Sequence, residues 1–129
     1  MALDTLFKNN EKDEDLLIKI YNNMARIYKQ KFNYQAAINY CDKVLQLELN
    51  SDIIMKNHEA IATTYSNRGT IYFLMRDYQS VLQNYEKALE IASKSLRSDH
   101  SYVVEYRNDI AVTKIHIQYQ KNKKFLNNK

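Results

Sequence analysis

The side chains best suited to metal or nucleophilic chemistry in this chain are His58, His100, His116 and the single Cys41. Their spacing argues against either. A local zinc set places its ligands a few residues apart in pairs, whereas the histidines stand 42 and 16 residues from one another and have only Glu59 and Asp99 as near acidic neighbours. A phosphate-cradling loop needs several glycines, and Gly69 is the only one in the sequence. H-E-x-x-H and G-x-S-x-G are absent as well. The expectation is therefore a protein with no catalytic residues, no cofactor and no metal.

The elements that would carry any other function are helices. The sequence holds no proline, and its apolar residues recur at three- and four-residue intervals. Ile61, Tyr65, Gly69, Tyr72 and Phe73 trace one such face. Tyr78, Val81, Leu82, Tyr85, Ala88, Leu89, Ala92 and Leu96 trace another, and the break between them is Arg76-Asp77. That pattern predicts a helical hairpin. Mid-helix glycine costs about 1 kcal/mol relative to alanine, so Gly69 implies a close helix contact that needs its small size. Helices are expected at 2–8, 14–31, 34–49, 56–75, 78–96 and 101–122. Asp13, Asn33, Asp77 and Asp99 are placed as N-caps because short polar side chains accept from the first free backbone N–H groups. Asn50-Ser51-Asp52 is the expected polar loop.

A chain of 129 residues suffices for one domain with a modest core. The net charge of +4 comes mainly from Lys114, Lys121, Lys123, Lys124 and Lys129 near the end. No apolar run approaches the roughly 18–20 residues of a membrane span, and the first residues, MALDTLFKNNEKDED, lack the layout of a signal peptide. The unpaired Cys41 fits a reducing compartment. A soluble, cytoplasmic protein with no membrane partner is the expectation.

Aligned on itself, the chain repeats. Met24-Ala25 and Tyr28 match Arg68-Gly69 and Tyr72 at an offset of 44 residues, and Asp42-Lys43-Val44-Leu45 matches Glu86-Lys87-Ala88-Leu89 at the same offset. Asn108-Asp109-Ile110-Ala111 then matches Ser66-Asn67-Arg68-Gly69 at an offset of 42. In this register Cys41 stands where the next copy has Tyr85, a core position. The spacing Tyr65-x2-Arg68-Gly69-x2-Tyr72 followed by Val81-x3-Tyr85-x2-Ala88 resembles the tetratricopeptide repeat, in its longer, kinesin light chain-like form.

That resemblance implies an all-α, right-handed α-α superhelix of antiparallel helical hairpins. Residues 1–124 would form one such domain: the end of a preceding helix and turn at 1–13, a first repeat at 14–55, a second at 56–98 and a terminal capping helix at 99–124. A flexible tail, 125–129, would follow. In the third copy Arg107 and Lys114 replace the residues that would face a further helix, leaving Val103, Ile110, Ala111, Ile115 and Ile117 to pack inward. Arg68 stands where the family usually has a buried leucine, with its stem expected along the interface.

The resemblance also implies a function. The family turns its first helices toward a concave groove, here Lys19, Asn22, Asn23, Arg26, Lys29 and Gln30, then Thr63, Ser66, Asn67, Thr70, Phe73 and Leu74, then Glu105, Asn108, Asp109, Val112 and His116. Asn23 and Asn67 fall where asparagines of such repeats contact the backbone of a bound peptide, and Asp109 breaks that series. The expected role is a non-enzymatic adaptor or scaffold holding a peptide segment of a partner protein. Lys19, Arg26 and Lys29 would favour an acidic segment, which Glu105 and Asp109 oppose.

Two other readings stand beside it. The chain could self-associate end to end as a homodimer or form part of a longer repeat array, with Leu3, Leu6 and Phe7 as end contacts. It could also bind nucleic acid weakly through its basic tail. The second is disfavoured because Tyr21, Tyr28, Tyr34, Tyr65, Tyr72, Tyr78 and Tyr85 occupy repeat core positions rather than a stacking surface.

Overall fold

The computed structural model describes residues 2–50 and 58–128, with side chains from residue 12 onward. Five α-helices make up nearly all of this: α1 (Ala2–Gln30), α2 (Tyr34–Asn50), α3 (His58–Leu74), α4 (Tyr78–Ser95) and α5 (Ser101–Asn127). No strand occurs among the described residues. The fold is all-α and is built from antiparallel hairpins, as the periodicity predicts. It falls into two compact units, Met1–Lys56 with α1 packed on α2, and Asn57–Lys129 with α4 packed on both α3 and α5. Ser51 and Asp52 of the expected loop lie outside the described residues.

Both hairpin turns solve the same problem in three residues. In the first, Phe32 N–H donates to Lys29 C=O at 3.1 Å and Asn33 N–H to Tyr28 C=O at 2.9 Å. In the second, Arg76 N–H donates to Phe73 C=O at 3.0 Å and Asp77 N–H to Tyr72 C=O at 3.1 Å. These are Schellman closures, which satisfy the last carbonyls of one helix. The same Asn33 and Asp77 then cap the next helix, accepting from Ala36 N–H and Ser80 N–H at 3.3 Å each. One residue thus ends a helix and starts another. The closure requires a left-handed residue, and both positions hold a non-glycine: Phe32 at φ 62° and Arg76 at φ 61°.

Two expected boundaries differ. No break separates 2–8 from 14–31, because α1 runs unbroken through Asp13. Asn9 to Asp15 contains no proline or glycine, so nothing there stops a helix, and Asp13 sits inside it rather than capping it. Likewise α5 continues to Asn127, past the expected end at 122, since its lysines and glutamines are adequate helix formers. The cap of α5 is also one residue later than expected. His100 Nδ1 accepts from Tyr102 N–H at 3.1 Å, while Asp99 pairs with Arg97 at 3.5 Å on the surface.

In the first unit the core is Ala25, Ala37, Ile38, Cys41, Val44 and Leu45. Tyr40 lies between Tyr21 and Tyr28, with ring centroids at 5.9 and 5.6 Å, and the Lys43 ammonium stands 5.0 Å from the Tyr40 centroid. In the second unit Val81, Tyr85 and Ile110 are buried together, with Tyr72, Phe73, Tyr78, Leu82 and Leu89 packed against them. Arg68 resolves its missing leucine partner by polar means. Its guanidinium lies 5.2 Å from the Tyr72 ring centroid and donates to Asn84 Oδ1 at 3.2 Å. The buried Asn84 donates in turn to Ser80 C=O at 2.8 Å.

The inner face of α5 is Val103, Tyr106, Ile110 and Thr113. Ala111 and Ile115, expected inward, are exposed, Ile115 at 68%, and Ile117 is partly buried. The spacing of three, four and three residues defines one helical face, on which Ala111 and Ile115 do not fall. Tyr106 and Thr113 are admitted because their hydroxyls are bonded, to the Thr63 side chain and to Asp109 C=O respectively. Arg107 is not idle. It donates to Ser98 C=O at 3.1 Å and so closes the α4–α5 connection.

Gly69 explains itself at this level. A Cβ there would lie 2.9 Å from Tyr85 Cε1, 3.1 Å from Tyr85 Cδ1 and 3.3 Å from Asn84 Cβ. The Tyr85 hydroxyl is held 3.2 Å from Thr70 Oγ1, so the ring is not free to swing away. In the first hairpin the corresponding pair is Ala25 and Cys41, both buried.

Two tests follow from this packing. Gly69→Ala is expected to lower thermal stability by on the order of 1 kcal/mol, overpacking outweighing the gain in helix propensity. In a Tyr85→Cys background the same change should become neutral or stabilising, and strict additivity in the double-mutant cycle would show that the ring is not the obstruction. Phe32→Gly should stabilise by up to about 1 kcal/mol by relieving the left-handed backbone. Phe32 is 79% exposed, so little packing is lost, and an unchanged melting temperature would refute the strain.

Candidate functional site

The residues predicted to line a groove divide between the two units. On α1, Lys19, Asn22, Asn23 and Arg26 are all exposed, and Arg26 reaches Asn23 Oδ1 at 3.5 Å. Lys29 is partly buried and Gln30 exposed. These side chains share a helix face that is open along its length.

The second unit builds a more defined feature. α3 and α5 both lie against α4, and between them runs a furrow of about 220 Å³ lined by Thr70, Phe73, Tyr85, Asp109, Val112 and Thr113. Of the predicted residues it brings together Thr70, Phe73, Asp109 and Val112. Thr63 meets α5 separately, through its hydrogen bond with Tyr106. His116 packs edge-on against Phe73 with ring centroids 5.1 Å apart. Asn67 and Asn108 are exposed outside the lining, and their amides carry no hydrogen bond among the described residues. Ser66 is partly buried, and its carbonyl accepts from Thr70 Oγ1 at 3.1 Å.

Tyr85 and Thr113 were not anticipated as lining. Each reads as a core residue by periodicity, and Tyr85 is indeed buried. The available signal was its length. A tyrosine in the slot that holds Cys41 in the first hairpin must extend further, and its hydroxyl end forms the floor of the furrow beside Thr70.

The furrow combines the apolar Phe73 and Val112 with the hydroxyls of Thr70, Tyr85 and Thr113 and the carboxyl of Asp109. Burial raises the Asp109 carboxyl above its ordinary range, and the nearby Glu105 carboxylate raises it further. Burial also raises the Tyr85 phenol, the Thr70 hydrogen bond opposing and Asp109 and Glu105 adding to the effect. Tyr106 is raised in the same way, first by burial and then by Glu105. No cation is paired with Asp109 among the described residues. The arrangement can take up a positively charged or hydrogen-bond-donating group. Among the described residues no three His, Cys, Asp or Glu side chains are grouped to hold a metal ion. No helix among them is long and apolar enough to cross a membrane.

A carboxyl raised on folding has a definite effect on stability. The native state keeps its proton to higher pH than the unfolded chain, so the cost is absent below the unfolded value, near 3.8, and complete above the raised one. Asp109→Asn is therefore expected to melt higher than the wild type at pH 7, the difference closing as the pH is lowered toward 3. A difference that does not change with pH would remove buried charge as the cause.

No solved structure matches the chain significantly. A family model described as the tetratricopeptide repeat matches residues 16–94 and 60–121. Repeats of this family generally mediate protein–protein interaction and are not enzymes. The overlapping matches take in both helical hairpins and most of α5, in the register that the internal offset defines, and the chain therefore belongs to the tetratricopeptide repeat family.

Proposed function

We propose that this chain is an adaptor that holds an extended peptide segment of a partner protein, and that the furrow between α3 and α5 is where its second unit grips that segment. The observation that carries the reading is an open furrow flanked by amides with nothing to bond. Asn67 and Asn108 each offer a donor and an acceptor, the complement of an extended backbone. Phe73 and Val112 supply an apolar wall for one side chain.

The charge of the furrow narrows the partner. A half-buried carboxylate without a cation favours a lysine or arginine from the segment, whose stem would lie on Phe73 and Val112. An acidic segment fits the exposed cations of α1 instead, Lys19 and Arg26. Offsets of 42 and 44 residues, longer than the roughly 34 of the ordinary repeat, support the kinesin light chain-like form.

The test is selection of peptides from a random library on the immobilised chain, followed by measured affinities for the enriched sequences. Asn67→Ala should weaken them about tenfold, and Val112→Lys, which sets a cation beside Asp109 in the furrow, should abolish binding of those that carry a basic residue. Circular dichroism would verify that both variants remain folded. Enriched peptides that bind wild type and Val112→Lys alike would refute the furrow as the site.

A further inference from the structure

A second cleft lies at the other end of α5 and shares no lining residue with the furrow. It measures about 580 Å³ and is walled by Arg76, Tyr78, His116, Tyr119, Lys123 and Lys124 among others. Its origin is a mismatch in helix length. α3 has 17 residues and α5 has 27. His116 meets Phe73 and Tyr78 at the α3–α4 turn, and α5 then runs on to Asn127, roughly 16 Å further. The turn and the projecting helix form a corner.

The corner is electropositive because its lining carries three cations and no carboxylate. Arg76 comes from the turn and Lys123 and Lys124 from α5, and no acidic residue follows Asp109 in the sequence. The carboxylate nearest in the chain, Asp77, is committed to the cap of α4. Its Oδ1 accepts from Ser80 N–H at 3.3 Å and its Oδ2 from Ser80 Oγ at 2.7 Å. That carboxylate therefore faces the positive end of the α4 dipole.

The rings are ordered in a way that leaves one of them available. Tyr78 and His116 stack at 5.0 Å with planes 23° apart, and Phe73 meets His116 edge-on, so this pair is fixed. Tyr119, one turn further along α5, is 65% exposed and lines the same cleft. A cleft within the roughly 300–1,000 Å³ of small-molecule sites thus combines three cations with a free aromatic face.

The geometry points to a site for an organic phosphate of nucleotide size, its phosphoryl oxygens held by Arg76, Lys123 and Lys124 and its planar ring laid on Tyr119. Guanidinium and ammonium groups together suit a polyanionic phosphate, and a ring stacks on an aromatic face without regard to its substituents. The site shares no lining residue with the furrow, although His116 of the corner packs on Phe73 of the furrow.

The test titrates the whole chain with ATP, AMP and pyrophosphate at about 150 mM salt, where diffuse attraction is largely screened, by calorimetry and by NMR of the His116 and Tyr119 side chains. The expected result is one saturable site that prefers ATP to pyrophosphate. Lys123→Ala with Lys124→Ala, and separately Arg76→Gly, should each weaken ATP at least tenfold. Arg76→Gly suits the left-handed turn position, so its loss of binding would come with unimpaired folding. Tyr119→Ala should weaken ATP while leaving pyrophosphate unchanged. The proposal is overturned if millimolar ATP moves neither ring, or if Arg76→Gly binds ATP as the wild type does. Equal affinity for ATP and pyrophosphate, unaffected by Tyr119→Ala, would overturn the nucleotide-sized ligand. Tight binding of hexaglutamate without binding of ATP would instead make the corner a docking surface for an acidic protein segment.

Discussion

The approach of Gly69 to Tyr85 is the contact on which the second unit depends. With no Cβ on α3 at that point, the ring of a residue on α4 can lie against the α3 backbone, closer than any other side chain would permit. The ring then spans from the hairpin core to the floor of the furrow, where its hydroxyl meets Thr70. One contact therefore sets the α3–α4 spacing and shapes the surface that α3 and α5 share. Because Tyr85 belongs to the same buried cluster as Ile110, the seat of α5 depends on it too.

The first hairpin reaches a similar architecture with different residues, which shows what the packing demands and what it leaves open. Ala25 and Cys41 occupy the places of Gly69 and Tyr85, two small groups that are both buried. The aromatic volume moves one residue back, to Tyr40, which stacks with Tyr21 and Tyr28. In the second hairpin that place holds Asn84, and the vacated volume is taken by the guanidinium of Arg68 on Tyr72. Total volume is kept while its distribution changes, which is the kind of substitution that packed cores tolerate. Only the hairpin whose long side chain reaches past the core acquires a tyrosine floor.

Charge is sorted along α5. Glu105 and Asp109 lie in its first half and Lys121, Lys123 and Lys124 near its end. Lys124, in the last turn, suits the negative end of the helix dipole. The order of charges also gives one helix two electrostatically opposite surfaces, an acidic furrow beside α3 and a basic corner beyond the α3–α4 turn.

The sequence alone determined the all-helical class, the two hairpin turns and the family, because each rests on local chemistry, though not the extent of α1 and α5. Periodicity marks the buried faces, Asn33 and Asp77 cap where short polar side chains should, and a lone mid-helix glycine signals close approach. Tertiary structure decided what depends on neighbours distant in the chain. Residue type alone would bury Ile115 and expose Thr113, yet Ile115 is exposed and Thr113 is buried with its hydroxyl returned to Asp109 C=O. The fate of the Arg68 charge waited on Tyr72 and Asn84, and Arg107 found its carbonyl only through the fold of the α4–α5 connection. The furrow was legible as a set of helix faces, but its tyrosine floor and the raised carboxyl of Asp109 arise from packing α3 and α5 on a common partner. The basic corner was invisible in the sequence for the same reason. Arg76 and Lys123 are far apart in the chain, and only the unequal lengths of helices lying against α4 bring them to one cleft.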